Sequence, residues 1–298
     1  MTDDTPTVCL TFDFDAISVW AGTFGLTSPS IVSRGEFGAR VAVPRILEVL
    51  ERESVHATFF TPGLTIETWP ELCRRIIAEG HEFAHHGYHH TSPAALEEEA
   101  EREELEKGLE AMDRHLGGHR AVGYRSPESN LSPSSTRLLH EYGFAYDSSM
   151  SAQDFEPYWC RTGDVVDAGG SIEFGDEIGL VEIPFSWTLD DFPQMEFVVA
   201  TGRVLEGLND PEKCRRMWTA DFEYMADEVP GGVWCMCFHP QVIGRGARMR
   251  VLEAIIASAK GRGARFRTCA DTATAWAGQN ALPGGRGDTP DRVASAPS

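Results

Sequence analysis

The stretch "LTFDFDA", from Leu10 to Ala16, places two carboxylates at the end of a segment in which apolar and polar residues alternate. Side chains two residues apart on a β-strand project from the same face, so Asp13 and Asp15 are expected to point into one space. Two like charges at such a short distance repel each other unless a cation or a shared proton lies between them. The stretch therefore predicts a buried strand that ends at a metal site or at a proton-sharing pair.

The composition indicates a large apolar core and an acidic surface. The 298 residues are 42% hydrophobic and 24% charged, and 46 acidic against 26 basic residues give a net charge of −20. Such a surface repels phosphate backbones and anionic membranes, which predicts no nucleic-acid partner and no membrane partner. No run approaches the roughly 18 consecutive apolar residues of a transmembrane helix.

The cysteines and the first residues bear on the cellular compartment. The chain has seven cysteines, an odd number, and its start, "MTDDTPTVCLTFDFDA", is acidic. A signal peptide would need a basic stretch followed by an apolar one. Reduced thiols, a cytoplasmic location and a substrate met inside the cell are therefore expected.

Strand-like and helix-like segments alternate along the chain. A strand at 55–61, for example, precedes a helix at 67–80, and roughly seven such β/α units follow one another, which is typical of a parallel barrel or a doubly wound sheet. No repeat and no Gly/Ser-rich linker divides the chain. Residues 1–277 are therefore interpreted as one domain, and residues 278–298 as a disordered tail.

Reactive side chains in parallel β/α folds gather at the carboxyl ends of the strands. This rule brings together Asp13 and Asp15, "GHEFAHHGYHH" (80–90), "YRSP" (124–127) and "FHP" (238–240). Two histidines and one carboxylate with open positions are typical of hydrolytic or oxygenase metal sites. The spacing leaves open a histidine-rich surface loop without a metal and three ligand pairs: His81 with His85, His85 with His89, and His86 with His90.

Four motifs occur in a fixed order along nearly the whole chain: "TFDFD" (11–15), "GHEFAHHGYHH" (80–90), "GYRSP" (123–127) and "MCFHP" (236–240). Together they resemble the polysaccharide deacetylase (NodB-homology, carbohydrate esterase 4) family. "SRGEF" (33–37) and "VEIPFSWTLDDFP" (181–193) are similar to an intracellular branch, which includes peptidoglycan deacetylase-like proteins and shades into cyclic imide and allantoin hydrolases.

The resemblance implies the fold and the cofactor. The fold is an α/β, distorted parallel (β/α) barrel of about seven strands. One divalent metal ion is expected, with Asp15, His86 and His90 as its ligands. This ligand set suits zinc, which we expect, but also iron, cobalt or nickel.

The resemblance also implies three catalytic residues. Asp13 accepts the proton of the attacking water, Arg125 pairs with Asp13 and keeps it ionised, and His239 protonates the leaving nitrogen. Each assignment has an alternative at this stage. Asp13 could be a second metal ligand, Arg125 could belong to a structural ion pair, and His239 could be a core histidine at a strand end.

The chain departs from the family pattern at several positions. The segment 85–90 is called the histidine loop below. Gly87 replaces the Ser or Thr whose side-chain hydrogen bond usually stabilises this loop in the family. Glu128 stands where members that act on polymers often carry an aromatic residue. Further predictions place Trp187, Asp191 and Trp20 in contact with the substrate, although Trp187 could equally be a core residue. The acidic pair 190–191 also resembles the family motif that tunes the acid histidine, although its order relative to the tryptophan differs.

Residues 16–42 are predicted to form a loop that is long for a β/α connection and carries Trp20, Phe24 and Phe37. Such loops are usually functional. The aromatic side chains favour a lid over the site or a contact between copies in a homo-oligomer. A lid of this kind suits a small substrate better than a chain of sugars.

Three functions follow from these observations. The first is metal-dependent hydrolysis of a non-peptide C–N bond, with N-acetylated sugars or polysaccharide fragments as substrates. The second is hydrolysis of a small cyclic imide or ureide by the same groups. The third is a non-catalytic carbohydrate-binding barrel, which would require a broken ligand set or a missing base, and the sequence has neither.

Overall fold

Strands and helices alternate through the computed structural model, which describes residues 3–167, 169–200 and 202–283. The strands are β1 (Thr7–Asp13), β2 (Thr58–Thr61), β3 (Glu82–His85), β4 (Gly123–Tyr124), β5 (Tyr146–Asp147), β6 (Tyr158–Thr162), β7 (Val165–Val166), β8 (Ile172–Glu173), β9 (Asp176–Glu182), β10 (Phe197–Ala200), β11 (Arg203–Glu206), β12 (Val233–Phe238) and β13 (Arg265–Phe266). The α-helices are α1 (Pro29–Phe37), α2 (Val43–Glu53), α3 (Gly63–Thr68), α4 (Pro70–Ala78), α5 (Glu98–His115), α6 (Ser135–Glu141), α7 (Asp191–Met195), α8 (Pro211–Glu228), α9 (Pro240–Ile243), α10 (Gly246–Gly261) and α11 (Cys269–Ala277). Residues 284–298, most of the segment predicted to be a disordered tail, lie outside the described residues.

One curled sheet organises the fold, with β1 near its centre. β1 pairs in parallel with β12 on one side, Thr7 opposite Val233 and Phe12 opposite Phe238, and with β2 on the other. The order continues through β3, β4, β5 and β9, each parallel to its neighbour, and β13 pairs with the start of β1. β1 is buried along its whole length, as expected for a parallel strand covered on both faces.

The two ends of the sheet approach each other without forming a regular barrel. At one end β6 runs antiparallel to β9. The backbone N–H of Val233 in β12 donates to the carbonyl of Phe155, just before β6, at 2.8 Å, and Asp190 forms an isolated parallel bridge with Cys237. The distorted parallel (β/α) barrel predicted from the sequence is confirmed, with seven neighbouring parallel strands among the described residues.

The helices cover the sheet through apolar faces. α2 buries Val43, Ile46, Leu47 and Leu50, a spacing that places all four side chains on one side of the helix. Each such side chain contributes roughly 1.5–3 kcal/mol when it leaves water. No helix of the described part of the chain is both long enough and apolar enough to cross a bilayer.

The connection after β1 differs from the long loop predicted at 16–42. It contains α1 and two π-helical turns, Val19–Thr23 and Gly38–Ala42. Trp20 is fully buried there and packs against Phe24 and under the guanidinium of Arg34. The aromatic residues of this segment therefore stabilise a folded wall, and the segment is not an irregular loop.

Candidate active site

The side chains predicted from the motifs converge at the carboxyl ends of neighbouring strands. Asp13 is the last residue of β1, and Asp15 lies two residues beyond it. His86, Arg125 and His239 each follow directly on the last residue of β3, β4 and β12, respectively. The strand order β12-β1-β2-β3-β4 therefore brings groups from distant parts of the sequence to one edge of the sheet.

Asp15, His86 and His90 form a buried triad. The Nε2 atoms of His86 and His90 each lie 3.5 Å from Oδ1 of Asp15. His86 donates from Nδ1 to the carbonyl of Arg125 at 2.6 Å, since a carbonyl can only accept. Nδ1 of His90 lies 2.7 Å from Oγ1 of Thr23, whose hydroxyl donates to the His90 carbonyl at 3.0 Å. Both rings therefore carry their proton on Nδ1 and turn the bare Nε2 toward Asp15.

This donor set fits a divalent cation. Among the described residues, neither carboxylate oxygen of Asp15 has a hydrogen-bond partner, and both oxygens are buried. Burial is the main cause that raises the pKa of Asp15 well above its usual value, and burial lowers the pKa of His86 to about 4. Two imidazole Nε2 atoms and the carboxyl group of Asp15 thus face one another in a buried space, where a divalent cation would stabilise the ionised carboxylate.

The other histidines of the loop have partners elsewhere. His85 donates from Nε2 to the carbonyl of Leu105 at 3.1 Å and accepts from the backbone N–H of Gly87. His89 pairs with Glu104 at 2.8 Å, and His81 accepts from the backbone N–H of Ala57, the residue before β2. Of the three pairs that the spacing left open, only His86 and His90 face Asp15 within the described residues.

Asp13 and Arg125 form a buried ion pair at the edge of the triad. The guanidinium lies 2.8 Å from Oδ1 of Asp13 and also donates to Thr11 and, twice, to Ser148. Burial raises the pKa of Asp13, but Arg125 and the nearby histidines outweigh it and lower the pKa to about 2. Oδ2 of Asp13 lies 3.8 Å from Nε2 of His86, so it points toward the space in front of the triad.

His239 borders the same space. Its Nε2 is 3.7 Å from Asp15 and 4.0 Å from Asp13. Its Nδ1 donates to Asp191 at 2.9 Å, and its backbone N–H donates to the same oxygen. Burial lowers the pKa of His239, but Asp190, Asp191 and Asp15 outweigh it and raise the pKa to about 10. His239 is therefore protonated near neutral pH while the space between the carboxylates is free of other cations.

A cavity of about 520 Å³ opens onto these groups. Asp13, His86, His90 and His239 line its floor, and Glu128 and Trp187, whose exposed fraction is 52%, line its mouth. The apolar part of its wall is formed by the segment after β1, by α7 and by the β10–β11 hairpin, through Val19, Phe24, Phe192, Pro193, Val198, Val204 and Leu205.

Two of the side chains predicted to contact the substrate do not line the cavity. Trp20 has no exposed surface and lies behind Phe24, which takes the place in the wall that was predicted for Trp20. Asp191 is equally buried, and it contacts His239 instead of the cavity, in line with the alternative that the acidic pair tunes the histidine. Trp187 lies in the wall of the cavity, which was one of the two positions that the sequence left open.

Several residues around the site were not predicted. Thr23 holds His90, Glu104 holds the histidine loop, and the thiol of Cys237 lies 3.4 Å from Oδ2 of Asp13. None of them belongs to a spacing pattern that points to chemistry. Thr23 and Glu104 lie far from the loop in the sequence, and only tertiary packing brings them next to it. The motifs therefore did not include them.

Comparison with known proteins agrees with the motifs. A family model described as polysaccharide deacetylase matches residues 2–146. A peptidoglycan deacetylase of Helicobacter pylori is 34% identical over 258 residues, which cover 82% of this chain and 86% of that protein. The chain belongs to the polysaccharide deacetylase family. The family hydrolyses amide bonds of acetylated polysaccharides, so this member is an enzyme that acts on carbon–nitrogen bonds other than peptide bonds.

Solved structures support the same fold. A polysaccharide deacetylase-like protein from Mycobacterium smegmatis is 34% identical and superimposes with a TM-score of 0.79 over 94% of this chain and 93% of that one. The structure of an allantoinase is 21% identical, with a TM-score of 0.77 over 94% of this chain and 93% of the other. At that identity the allantoinase shows only that the fold is shared.

Proposed function

We propose that this family member is a metal-dependent deacetylase of N-acetylated sugars no larger than a disaccharide. The observation that carries the proposal is the buried triad of Asp15, His86 and His90, in which both imidazole Nε2 atoms lie 3.5 Å from the same carboxyl oxygen. The ion pair of Asp13 and the protonated imidazole of His239 border the same space.

Asp15, His86 and His90 would hold the ion, for which zinc is proposed on the basis of its preference for imidazole and carboxylate ligands. A divalent cation at this position supplies Lewis acidity toward an amide carbonyl and makes water more acidic. The neutral state of His86, with its pKa lowered to about 4 by burial, is the state that binds a cation.

Asp13 would accept a proton from the attacking water. Arg125 occupies Oδ1 of Asp13 and holds the carboxylate in its ionised form, while Oδ2, which accepts from the thiol of Cys237 at 3.4 Å, faces His86. A general base must be unprotonated at the working pH and within hydrogen-bond reach of the proton that it accepts.

His239 would donate its Nε2 proton to the leaving nitrogen. An amide needs such an acid because an amide anion is a poor leaving group. Asp191 accepts from Nδ1 of His239, which fixes the ring and directs Nε2 toward the carboxylates and the cavity. The proposed base and the proposed acid border the same space, with Nε2 of His239 4.0 Å from Oδ2 of Asp13.

The cavity supports a small substrate. Its volume of about 520 Å³ is within the usual range for sites that take small molecules, and its apolar wall rises directly beside the catalytic floor. Trp187 at the mouth offers an aromatic face for a sugar ring. The apolar wall beside the catalytic floor is also the observation that favours the second candidate, hydrolysis of a cyclic imide or ureide, because such a compound is small and would use the same groups.

One comparison of substrates tests the proposal. Zinc-loaded protein is assayed for acetate release from N-acetylglucosamine, its dimer and its pentamer, and for ring opening of succinimide and hydantoin. Release of acetate from the two small sugars, lost in Asp13→Asn and retained in the surface variant His140→Ala, is the expected result. Ring opening without acetate release would establish the second candidate, and turnover of the pentamer alone would contradict the size limit.

A further inference from the structure

The histidine loop has no side chain at position 87 that could stabilise it. Gly87 has no side chain with which to hold the loop, and His90 adopts a left-handed backbone conformation with φ of 65°. For a residue other than glycine this conformation costs about 1–3 kcal/mol and persists only when the surroundings enforce it. The contacts that hold His90 must therefore come from other parts of the chain.

Two segments hold the loop from opposite sides. On the outer side, Glu104 of α5 accepts from the backbone N–H groups of Tyr88 and His89. On the side of the cavity, Thr23 makes two hydrogen bonds to His90 with one hydroxyl: it accepts from the ring at 2.7 Å and donates to the backbone carbonyl at 3.0 Å. One side chain thus fixes both the ring and the strained backbone of His90.

The approach of the Thr23 segment is unusually close. A side chain at the neighbouring Gly22 would place its Cβ 1.8 Å from the carbonyl oxygen of His89, so only glycine fits there. The backbones of the two segments therefore touch, which brings the short side chain of Thr23 within reach of His90. The other ring of the triad is held differently, because His86 donates to a backbone carbonyl beside the sheet.

We propose that Thr23 is the positioning residue that sets the tautomer and the ring orientation of His90 for a divalent cation, an inference that rests on the metal site proposed above. The Thr23 hydroxyl keeps the proton on Nδ1 and leaves Nε2 free to bind. Partners of this kind change the affinity for the metal by about 10- to 100-fold when they are removed. Thr23 also lines the cavity beside Phe24. The same residue therefore belongs to the cavity wall and contacts one of the proposed metal ligands.

The test measures zinc affinity of the full chain by competition with a chromophoric chelator. Thr23→Val keeps the shape of the side chain and removes the hydroxyl, whereas Thr23→Ser keeps the hydroxyl. Thr68→Val is the matched control, because the Thr68 hydroxyl also donates to a backbone carbonyl, at 2.7 Å, but lies exposed on α3. Urea unfolding of each zinc-free variant shows that it is folded.

Thr23→Val is expected to bind zinc about 10- to 100-fold more weakly, while Thr23→Ser and Thr68→Val stay within about threefold of the unmodified protein. The visible spectrum of the Co²⁺-loaded protein is expected to change in Thr23→Val and to be restored in Thr23→Ser. Equal affinities in Thr23→Val and the unmodified protein, or equal losses in the valine and serine variants, would overturn the role of Thr23. Zinc binding that persists without His86 and His90 would instead overturn the metal site itself and this role with it.

Discussion

Arg125→Met is expected to destabilise the protein far more than the loss of an ordinary surface charge. The guanidinium has no exposed surface and lies 2.8 Å from Asp13, and it also donates to Thr11 and Ser148. Methionine fills part of the volume but leaves the carboxylate buried without its cation. Breaking a buried pair in this way lowers the free energy of unfolding by about 3–5 kcal/mol.

The pH dependence identifies the cause. In the unmodified protein the pKa of Asp13 is lowered to about 2, so the stabilisation from its ionised form is present above the unfolded pKa near 4 and is lost as pH falls through about 2. Without Arg125, the largest cause that lowers the pKa of Asp13 is gone, so burial raises this pKa relative to the unmodified protein. The carboxyl then prefers to be protonated, and the deficit of Arg125→Met is expected to shrink as pH falls from 7 to 4.

Urea unfolding of metal-free protein at pH 7 and pH 4 measures both effects. Arg137→Met is the matched control, because Arg137 pairs with Glu98 and Glu141 at the surface and its removal is expected to matter by less than about 1 kcal/mol. Adding Asp13→Asn to Arg125→Met should recover about 2 kcal/mol or more, since the unpaired charge is gone. A loss at pH 7 no larger than that of the control, or strict additivity of the two substitutions, would refute the argument.

Other substitutions address the metal, the acid and the cavity. His86→Ala is expected to reduce bound zinc, measured after dialysis, whereas Asp13→Asn keeps it; loss of zinc in Asp13→Asn would make Asp13 a ligand. His239→Ala should slow amides with poor leaving groups by about 10²–10⁴-fold and activated esters least, so equal losses along a leaving-group series would assign it a packing role. Activity that depends on protonated His239 falls as pH rises through the pKa of His239. Asp191→Asn removes a cause that raises this pKa, so the alkaline limb of the pH profile of kcat should move to lower pH. An unchanged alkaline limb would show that Asp191 does not act through His239. Phe24→Ala should widen the cavity and raise relative activity on longer oligosaccharides at unchanged zinc content, and an unaltered substrate profile would remove Phe24 from the wall.

The sequence predicted the parts of the site that depend on strand ends. Asp13, Asp15 and His239 lie where the alternation of side chains and the end of a strand determine the direction of the side chain. The choice among the loop histidines was different. Three pairs share the same spacing of four residues, and only the packing of His85 against α5 and of His89 against Glu104 removes those two from the site.

The remaining errors come from features that local patterns do not record. Trp20 and Phe24 are both aromatic and lie four residues apart, but the π-helical turn between them and the packing of Phe192 decide which one faces the cavity. β5 has only two residues, too few for an alternation to be recognised. The β10–β11 hairpin, which completes the cavity wall, likewise depends on tertiary contacts and carries no motif.

The position of β1 between β2 and β12 has a consequence for how the chain must be made. During synthesis β1 meets β2 after about fifty residues, but its other neighbour ends only at Phe238. Until then one edge of the central strand is unpaired, and an unpaired edge favours association between unfinished copies of the chain. Contacts between residues so far apart in sequence also make folding slow. The first 146 residues contain the base and all three proposed ligands, but His239 and the strand that seals the sheet are absent from them. A nascent chain therefore contains most of the proposed catalytic residues long before the edge of β1 is paired. A fragment that ends after residue 146 is expected to aggregate and to be inactive.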